Sequence, residues 1–213
     1  LVANKNFRII CDQIKIFKPN FFVINDSKVF EKVKKKFRLK KIKIFNELKE
    51  IKNLKKSDIT IAAIPGIAGL TPTLYMIKKS KKILIANKES IICGWNLIKK
   101  AGKNNKTSIV PVDSEHYSIM KLLENQNIKD INKIFLTASG GPFLKHKLSN
   151  LKRVKPNEAI KHPKWKMGKK ISIDSATLMN KMLEKIEAQK LFSIEPNKIE
   201  IIIHPESLVH AFI

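Results

Sequence analysis

Three stretches of the chain carry side chains that could do chemistry together. In "PVDSEHYSIM" an apolar run ends at Asp113 and Glu115, with Ser114 between them and His116 behind. Residues two apart at a strand end point the same way, so both carboxylates could meet at one point. Like charges that close need a cation, a shared proton or open water between them. The same letters also fit a helix start, with Asp113 or Ser114 as N-cap and Glu115 in the first turn. In "DSATLMNKMLEKIEAQKLF" a helix is expected from near Ser175, with Ser175 as its N-cap. It would place Asn180, Glu184 and Glu187 at i, i+4 and i+7 on one face. An ordinary solvated face is the plain alternative. Three carboxylates without clustered cysteine or histidine suit a hard, oxygen-preferring ion such as Mg²⁺ or Mn²⁺, not zinc.

The third stretch is "TASGGPF". Ser139 and the Gly140–Gly141 amides could cradle an anion, or form a plain tight turn. Ser175, Asn180 and Lys181 add a hydroxyl, an amide and a cation near a helix start, which suits phosphate. Between these lies "HPKWKMGKK", with no apolar periodicity but with His162, Trp165 and Met167. Large apolar groups on a loop suggest a lid over a ligand, or a loop pinned to the core. His204 and His210 are read as packing or hydrogen-bonding residues.

The elements that must position these groups alternate along the first half. "FRII" leads into a helical "CDQIKIFKP", and "FFVIND" into "SKVFEKVKKKFRLKKI". "KIFNELKEIKNLKK", "DITIAAIPGIAGLTPTL", "KILIANKESIICG" and "TSIVPVDSEHYSI" follow. Short strands alternating with helical patterns indicate βαβ units and a mostly parallel sheet. Ligands of such sheets sit beyond the C-terminal strand ends, where "IPGIAGL", "NKES" and "DSEH" fall. The second half changes character, and a boundary is expected near Val112.

Composition narrows the function. Basic residues outnumber acidic ones 43 to 18, a formal charge of +25. Only Arg8, Arg38 and Arg153 are arginine, the residue favoured for bidentate phosphate and base contacts. So high a charge suggests nucleic acid as a competing partner, but the scarcity of arginine argues against it as the main one, while the positive field would still attract small anions. Apolar runs are far shorter than the roughly 20 residues of a membrane helix, and no signal peptide is visible. Cys11 and Cys93 cannot form a disulfide framework, which fits a reducing compartment.

Together and in this order, the motifs resemble the 1-deoxy-D-xylulose 5-phosphate reductoisomerase family. The matching stretches are "LVANKNF", "AAIPGIAGLTPTL", "ILIANKESIICG", "PVDSEHYSI", "LTASGGPF", "HPKWKMGKKISIDSATLMNKMLEKIEA" and "IEIIIHPESLVHAF". The resemblance implies an α/β chain. A Rossmann-like, mostly parallel NADPH-binding domain would occupy residues 1–112, its first strand missing. An α/β catalytic domain would occupy 113–213. Both ends read as cut through structure: the family's glycine-rich pyrophosphate turn would precede Leu1, and a terminal helical domain would follow Ile213.

Carried over, the family pattern makes Asp113, Glu115 and Glu184 the ligands of Mg²⁺ or Mn²⁺, with Co²⁺ as a further candidate. Lys88 and Ser114 would contact the substrate's backbone oxygens. Ser139, Ser175, Asn180 and Lys181 would bind its phosphate, with His162 and Trp165 closing over it. Lys88, Ser114 and His162 form the expected catalytic group. Asn87, Lys88, Glu89, Met167 and Gly168 would lie along the nicotinamide end of NADPH. Lys5 and Asn6 would receive its 2′-phosphate. The implied reaction isomerises and reduces 1-deoxy-D-xylulose 5-phosphate to 2-C-methyl-D-erythritol 4-phosphate, for isoprenoid biosynthesis. The setting implied is a homodimer at full length, without membrane, in bacterial cytoplasm or a plastid-type organelle. A non-catalytic remnant that binds metal or phosphorylated ligands is the competing reading.

Overall fold

The computed structural model describes residues 1–51, 54–164 and 168–213. It divides into two units, Leu1–Lys55 and Lys56–Ile213. In the first, β1 (Val2–Ala3), β2 (Phe21–Ile24) and β3 (Lys43–Phe45) form a parallel sheet in that order. Helices α1 (Phe7–Phe17) and α2 (Ser27–Lys36) make the crossovers. The expected apolar run "FRII" belongs to α1, not to a strand ahead of it. Asn6 accounts for this: its Oδ1 accepts from the Ile9 N–H at 3.1 Å, so the helix begins at Phe7. Phe7, Ile10, Cys11 and Ile14 then recur at helical spacing and pack with Phe22, Ile24 and Val33. Asp26 caps α2 in the same way, accepting from Val29 N–H at 2.9 Å. After β3, the lysine-rich run gives only the single turn Leu48–Glu50 among the described residues.

The second unit opens with β4 (Ser57–Ala62), α3 (Leu70–Ile77), β5 (Ser80–Ile85), α4 (Lys88–Asn105) and β6 (Ser108–Pro111). The three strands are parallel in the order β4-β5-β6. Ile77, Ile83, Ile85, Ile91 and Ile98 fill the layer between sheet and helices. Asn87 caps α4, accepting from Ser90 N–H at 2.6 Å, and donates to the Ile64 carbonyl at 2.6 Å. One buried amide therefore fixes both the helix start and the loop leaving β4.

The chain continues through α5 (Ser114–Leu122), β7 (Ile134–Ala138) and the one-turn helices α6 (Leu148–Leu151) and α7 (Pro156–Ala159). Then come α8 (Lys169–Ala176), α9 (Met179–Phe192), β8 (Ile199–Ile203) and β9 (Ala211–Phe212). These strands form a second sheet, β8-β7-β9, with β8 parallel and β9 antiparallel to β7. The α/β class with mostly parallel strands is as expected from the sequence. Val112 lies inside this unit, in the link from β6 to α5.

Ser175 does not cap the long helix. It lies in the last turn of α8, and α9 starts only after Leu178, held at φ +60°. A left-handed leucine breaks the hydrogen-bond ladder and costs on the order of 1 kcal/mol, so the packing around it must enforce the break. The turn after β7 provides one such contact. Gly141 has φ +70°, and a Cβ there would stand 2.7 Å from the Ser175 carbonyl oxygen. Only glycine allows this approach. Gly141→Ala is expected to cost about 1–3 kcal/mol in urea unfolding. A change under about 0.5 kcal/mol, as at an ordinary surface site, would show that the turn and α8 are not pressed together.

Candidate functional site

The N-terminus of α5 supplies the first two carboxylates. Asp113 is its N-cap: Oδ1 accepts from the Glu115 N–H at 3.3 Å. Its other oxygen, Oδ2, accepts from Lys88 Nζ at 2.6 Å. The capping reading and the cluster reading of "DSEH" are therefore both true, one oxygen each. Glu115 reaches the same region from the first helical turn, so convergence comes from the cap geometry and not from strand alternation. Ser114 Oγ donates to Glu115 Oε2 at 2.6 Å.

Helix α9 supplies the third carboxylate. Glu184 is buried, and Asn180 Nδ2, one turn earlier, donates to its Oε1. One oxygen from each of Asp113, Glu115 and Glu184 lies within 4.8 Å of the others. Two lysines stand among them. Lys181 Nζ is 2.7 Å from Glu115 Oε1 and 2.5 Å from Glu184 Oε2. Lys88 Nζ is 3.4 Å from Glu184 Oε1 and 3.5 Å from Glu187 Oε2.

Glu187 and His116 belong to this site, though sequence reasoning gave neither a role. Glu187 shares the α9 face with Glu184, which the spacing had indicated. Its Oε2 is buried without a hydrogen-bond partner among the described residues. His116 is buried three residues after Asp113. Its Nε2–H donates to the Glu184 carbonyl oxygen at 2.9 Å, and Nδ1 lies 3.2 Å from Asp113 Oδ1. It thus braces α5 against α9. The i, i+3 spacing from Asp113 was the available signal.

The titration shifts follow from this crowding. Burial favours the neutral form of Lys88, but the charges of Asp113, Glu184 and Glu187 outweigh it and raise its pKa. Lys181 is likewise raised, with Glu184 and Glu115 overcoming burial. Burial would lift Asp113, yet the His116 hydrogen bond and the Lys88 charge hold it far below the usual carboxylate range. Glu184 is pushed up by burial and by Asp113. Glu187 is pushed up to about 7, chiefly by burial. Four carboxyl groups thus share a poorly solvated place with two ammonium groups and the His116 imidazole, whose pKa burial would lower but Asp113 raises. Three convergent carboxylate oxygens form a donor set that fits a hard divalent cation.

A cleft of about 520 Å³ opens beside the carboxylates. Its wall carries Ser139, Gly140, His162, Ser175, Asn180 and Lys181 together with Asp113, Ser114, Glu115 and Glu184. Gly140 and Gly141 turn the chain at φ +89° and +70°. His162 Nδ1 accepts from Lys164 N–H at 3.2 Å, which leaves Nε2 as the protonated nitrogen facing Ser139 Oγ at 2.9 Å. Burial lowers the His162 pKa, in keeping with that neutral tautomer. Among the described residues, no side chain caps α9, whose N-terminus lies at Asn180 and Lys181. Serine hydroxyls, an open helix start and a lysine make this side of the cleft suited to a phosphate. His210 and Ser207 also line the cleft; the sequence had given His210 only a packing role.

The remaining expected residues are dispersed. Asn6 caps α1 in the first unit, beside the exposed Lys5. Asn87 is buried and occupied by the loop it holds. Glu89 faces Lys170, with 3.7 Å between charged atoms. Gly168 caps α8, its carbonyl accepting from Ser172 N–H at 3.1 Å. Trp165 and Met167 lie outside the described residues. Among the described residues, no helix is long and apolar enough to cross a membrane.

Comparison with known proteins gives one family throughout. Residues 1–94 match a family model described as 1-deoxy-D-xylulose 5-phosphate reductoisomerase. Residues 109–192 match the model of the 1-deoxy-D-xylulose 5-phosphate reductoisomerase C-terminal domain. The chain is 46% identical over 217 residues to the reductoisomerase of Pelagibacter ubique, covering 100% of this chain and 56% of that protein. Its identity to the Clostridium novyi reductoisomerase is 44%, covering 99% of this chain and 56% of that protein. The solved Zymomonas mobilis reductoisomerase in complex with NADPH superposes with a TM-score of 0.86 at 38% identity, over 99% of this chain and 55% of that one. A reductoisomerase in complex with NADPH, fosmidomycin and magnesium gives 0.87 at 33%, with the same coverage. The chain spans about half the length of the curated relatives it matches.

The Glu187 carboxyl makes a stability prediction for the metal-free chain. Its pKa is about 7 in the folded chain, against an ordinary 4.5. Between those values the folded state binds the extra proton, so stability falls as pH rises through the window. Chelator-treated Glu187→Gln is expected to lose less stability across it than the native chain, by roughly 2–3 kcal/mol. Urea unfolding below and above the window measures this; parallel losses would refute the buried, protonated carboxyl.

Proposed function

The chain belongs to the 1-deoxy-D-xylulose 5-phosphate reductoisomerase family, and we propose that it carries that enzyme's chemical centre. The reaction is the NADPH- and metal-dependent isomerisation and reduction of 1-deoxy-D-xylulose 5-phosphate to 2-C-methyl-D-erythritol 4-phosphate, a step of isoprenoid biosynthesis. The observation that carries this reading is the meeting of Asp113, Glu115 and Glu184 on one edge of a cleft whose other side suits phosphate. The NADPH and magnesium of solved relatives support the same cofactors here.

Asp113, Glu115 and Glu184 would hold Mg²⁺ or Mn²⁺. Such an ion supplies Lewis acidity toward neighbouring carbonyl and hydroxyl oxygens, while NADPH supplies the hydride. Ser139, Ser175, Asn180 and Lys181 bind the phosphate, and that remote binding energy positions the reacting carbons. Lys88 and Ser114, on either side of Asp113, orient the sugar oxygens. Neutral His162, with its Nε2–H, closes the phosphate end, and Trp165 joins it. Asn87, Glu89, Met167 and Gly168 serve the nicotinamide end, and Lys5 and Asn6 the 2′-phosphate.

In this reading residues 1–112 belong to the cofactor domain and 113–213 to the catalytic domain. The break between the two family-model matches supports the division. The whole protein is a homodimer of the bacterial cytoplasm, in keeping with its bacterial relatives and its unpaired cysteines.

The test is NADPH oxidation by the protein at its genomic length, with 1-deoxy-D-xylulose 5-phosphate and Mn²⁺. Turnover that needs both is expected; oxidation indifferent to the metal would sink the reading. Glu184→Gln is expected to lower kcat by about 10³-fold or more, a loss of roughly 4 kcal/mol of transition-state stabilisation. NADPH affinity, read by fluorescence, should stay within about twofold. A mutant that keeps most of its rate would remove Glu184 from the ligand set.

A further inference from the structure

Among the described residues, Lys181 is the one lysine that is buried, in a chain whose lysines otherwise face solvent or lie partly covered. Its ammonium bridges Glu115 and Glu184 at 2.7 and 2.5 Å, so it holds an oxygen of two of the three carboxylates that converge. A magnesium-type ion needs such oxygens at about 2.0–2.1 Å. The other oxygens of Glu115 and Glu184 are held as well, Glu115 Oε2 by Ser114 and Glu184 Oε1 by Asn180. An ion must therefore displace a donor, and an ammonium left beside it would press a like charge against it in a poorly solvated site. Ion and ammonium therefore compete for Glu115 and Glu184. A displaced Lys181 needs another counter-charge, because leaving its ammonium buried and unpaired is costly. The cleft it lines offers one place for that charge, the anion side formed by Ser139, Ser175 and the start of α9.

Resting on the site reading above, we propose that Lys181 is an exchange residue between two subsites. It bridges Glu115 and Glu184 when no divalent ion is held, and turns onto the phosphate when one is. Its role is to make the two ligands help each other: the ion frees Lys181 for the phosphate, and the phosphate, by drawing Lys181 away, frees two carboxylates for the ion. Coupling of this kind is reciprocal. Lys88 is not equivalent, because it also faces Glu187 at 3.5 Å, a carboxyl outside the ligand set that can retain it.

The test is binding, not turnover. Mn²⁺ is titrated into the chain and followed by electron paramagnetic resonance, with and without a saturating phosphate monoester such as methyl phosphate. The native chain is expected to bind Mn²⁺ about tenfold tighter when the monoester is present, within the usual range for coupled sites. Lys181→Met should bind Mn²⁺ more tightly than the native chain without monoester, and should lose the coupling. Plain attraction between ion and phosphate would survive that substitution. A native affinity that the monoester leaves unchanged overturns the proposal, and this arm needs no folded variant. Mn²⁺ binding that depends on Glu184 but is coupled equally in Lys181→Met overturns the exchange alone. Mn²⁺ binding unaffected by both Asp113→Asn and Glu184→Gln overturns the site reading and the exchange with it.

Discussion

Too many carboxylates in too little water is the condition around which this protein is built. Asp113, Glu184 and Glu187 meet where burial favours their neutral forms, and Glu115 reaches the same place. Such a cluster survives only if cations are brought to it. The chain brings two from different elements, Lys88 at the start of α4 and Lys181 in the first turn of α9. They satisfy the acids only in part. Among the described residues, Glu187 Oε2 and Asn180 Oδ1 stay buried without hydrogen-bond partners. Buried oxygens left without a donor suit an oxygen-preferring ion.

That requirement explains the surrounding packing. Helix α9 must lie against α4 and α5 so that its acidic face meets Lys88 and Asp113. His116 ties α5 to the α9 backbone through the Glu184 carbonyl. Asn87, just before Lys88, is fixed by an amide shared between the helix cap, the loop from β4 and Glu89. Leu178 accepts a left-handed conformation so that α9 can begin where Asn180 and Lys181 reach the cleft. Each is a local departure from ordinary preference held by tertiary contacts, as functional sites tend to show.

The surface charge is a separate matter. Most lysines are exposed, and several sit in the last turns of α1 and α2, where cations suit the helix dipole. They give the molecule a positive field that draws small anions without specifying them. The two lysines drawn into the carboxylate cluster differ from these, Lys181 being buried and Lys88 largely covered.

The sequence by itself determined the family, the alternating α/β pattern and the three acids. These are local or additive signals: strand and helix periods, turn glycines, and residue types in a fixed order. It also placed Glu184 and Glu187 on one face, because helical spacing is arithmetic. It misplaced what depends on distant contacts. "FRII" reads as a strand until Asn6 caps it into a helix. Ser175 reads as an N-cap until Gly141 and Leu178 end one helix and start another. Only the tertiary structure decided that Lys181, three residues from Glu184 in the chain, bridges it to Glu115, sixty-six residues away. A charge's partner is set by which elements fold together and how much water they exclude, and no spacing along a chain encodes that.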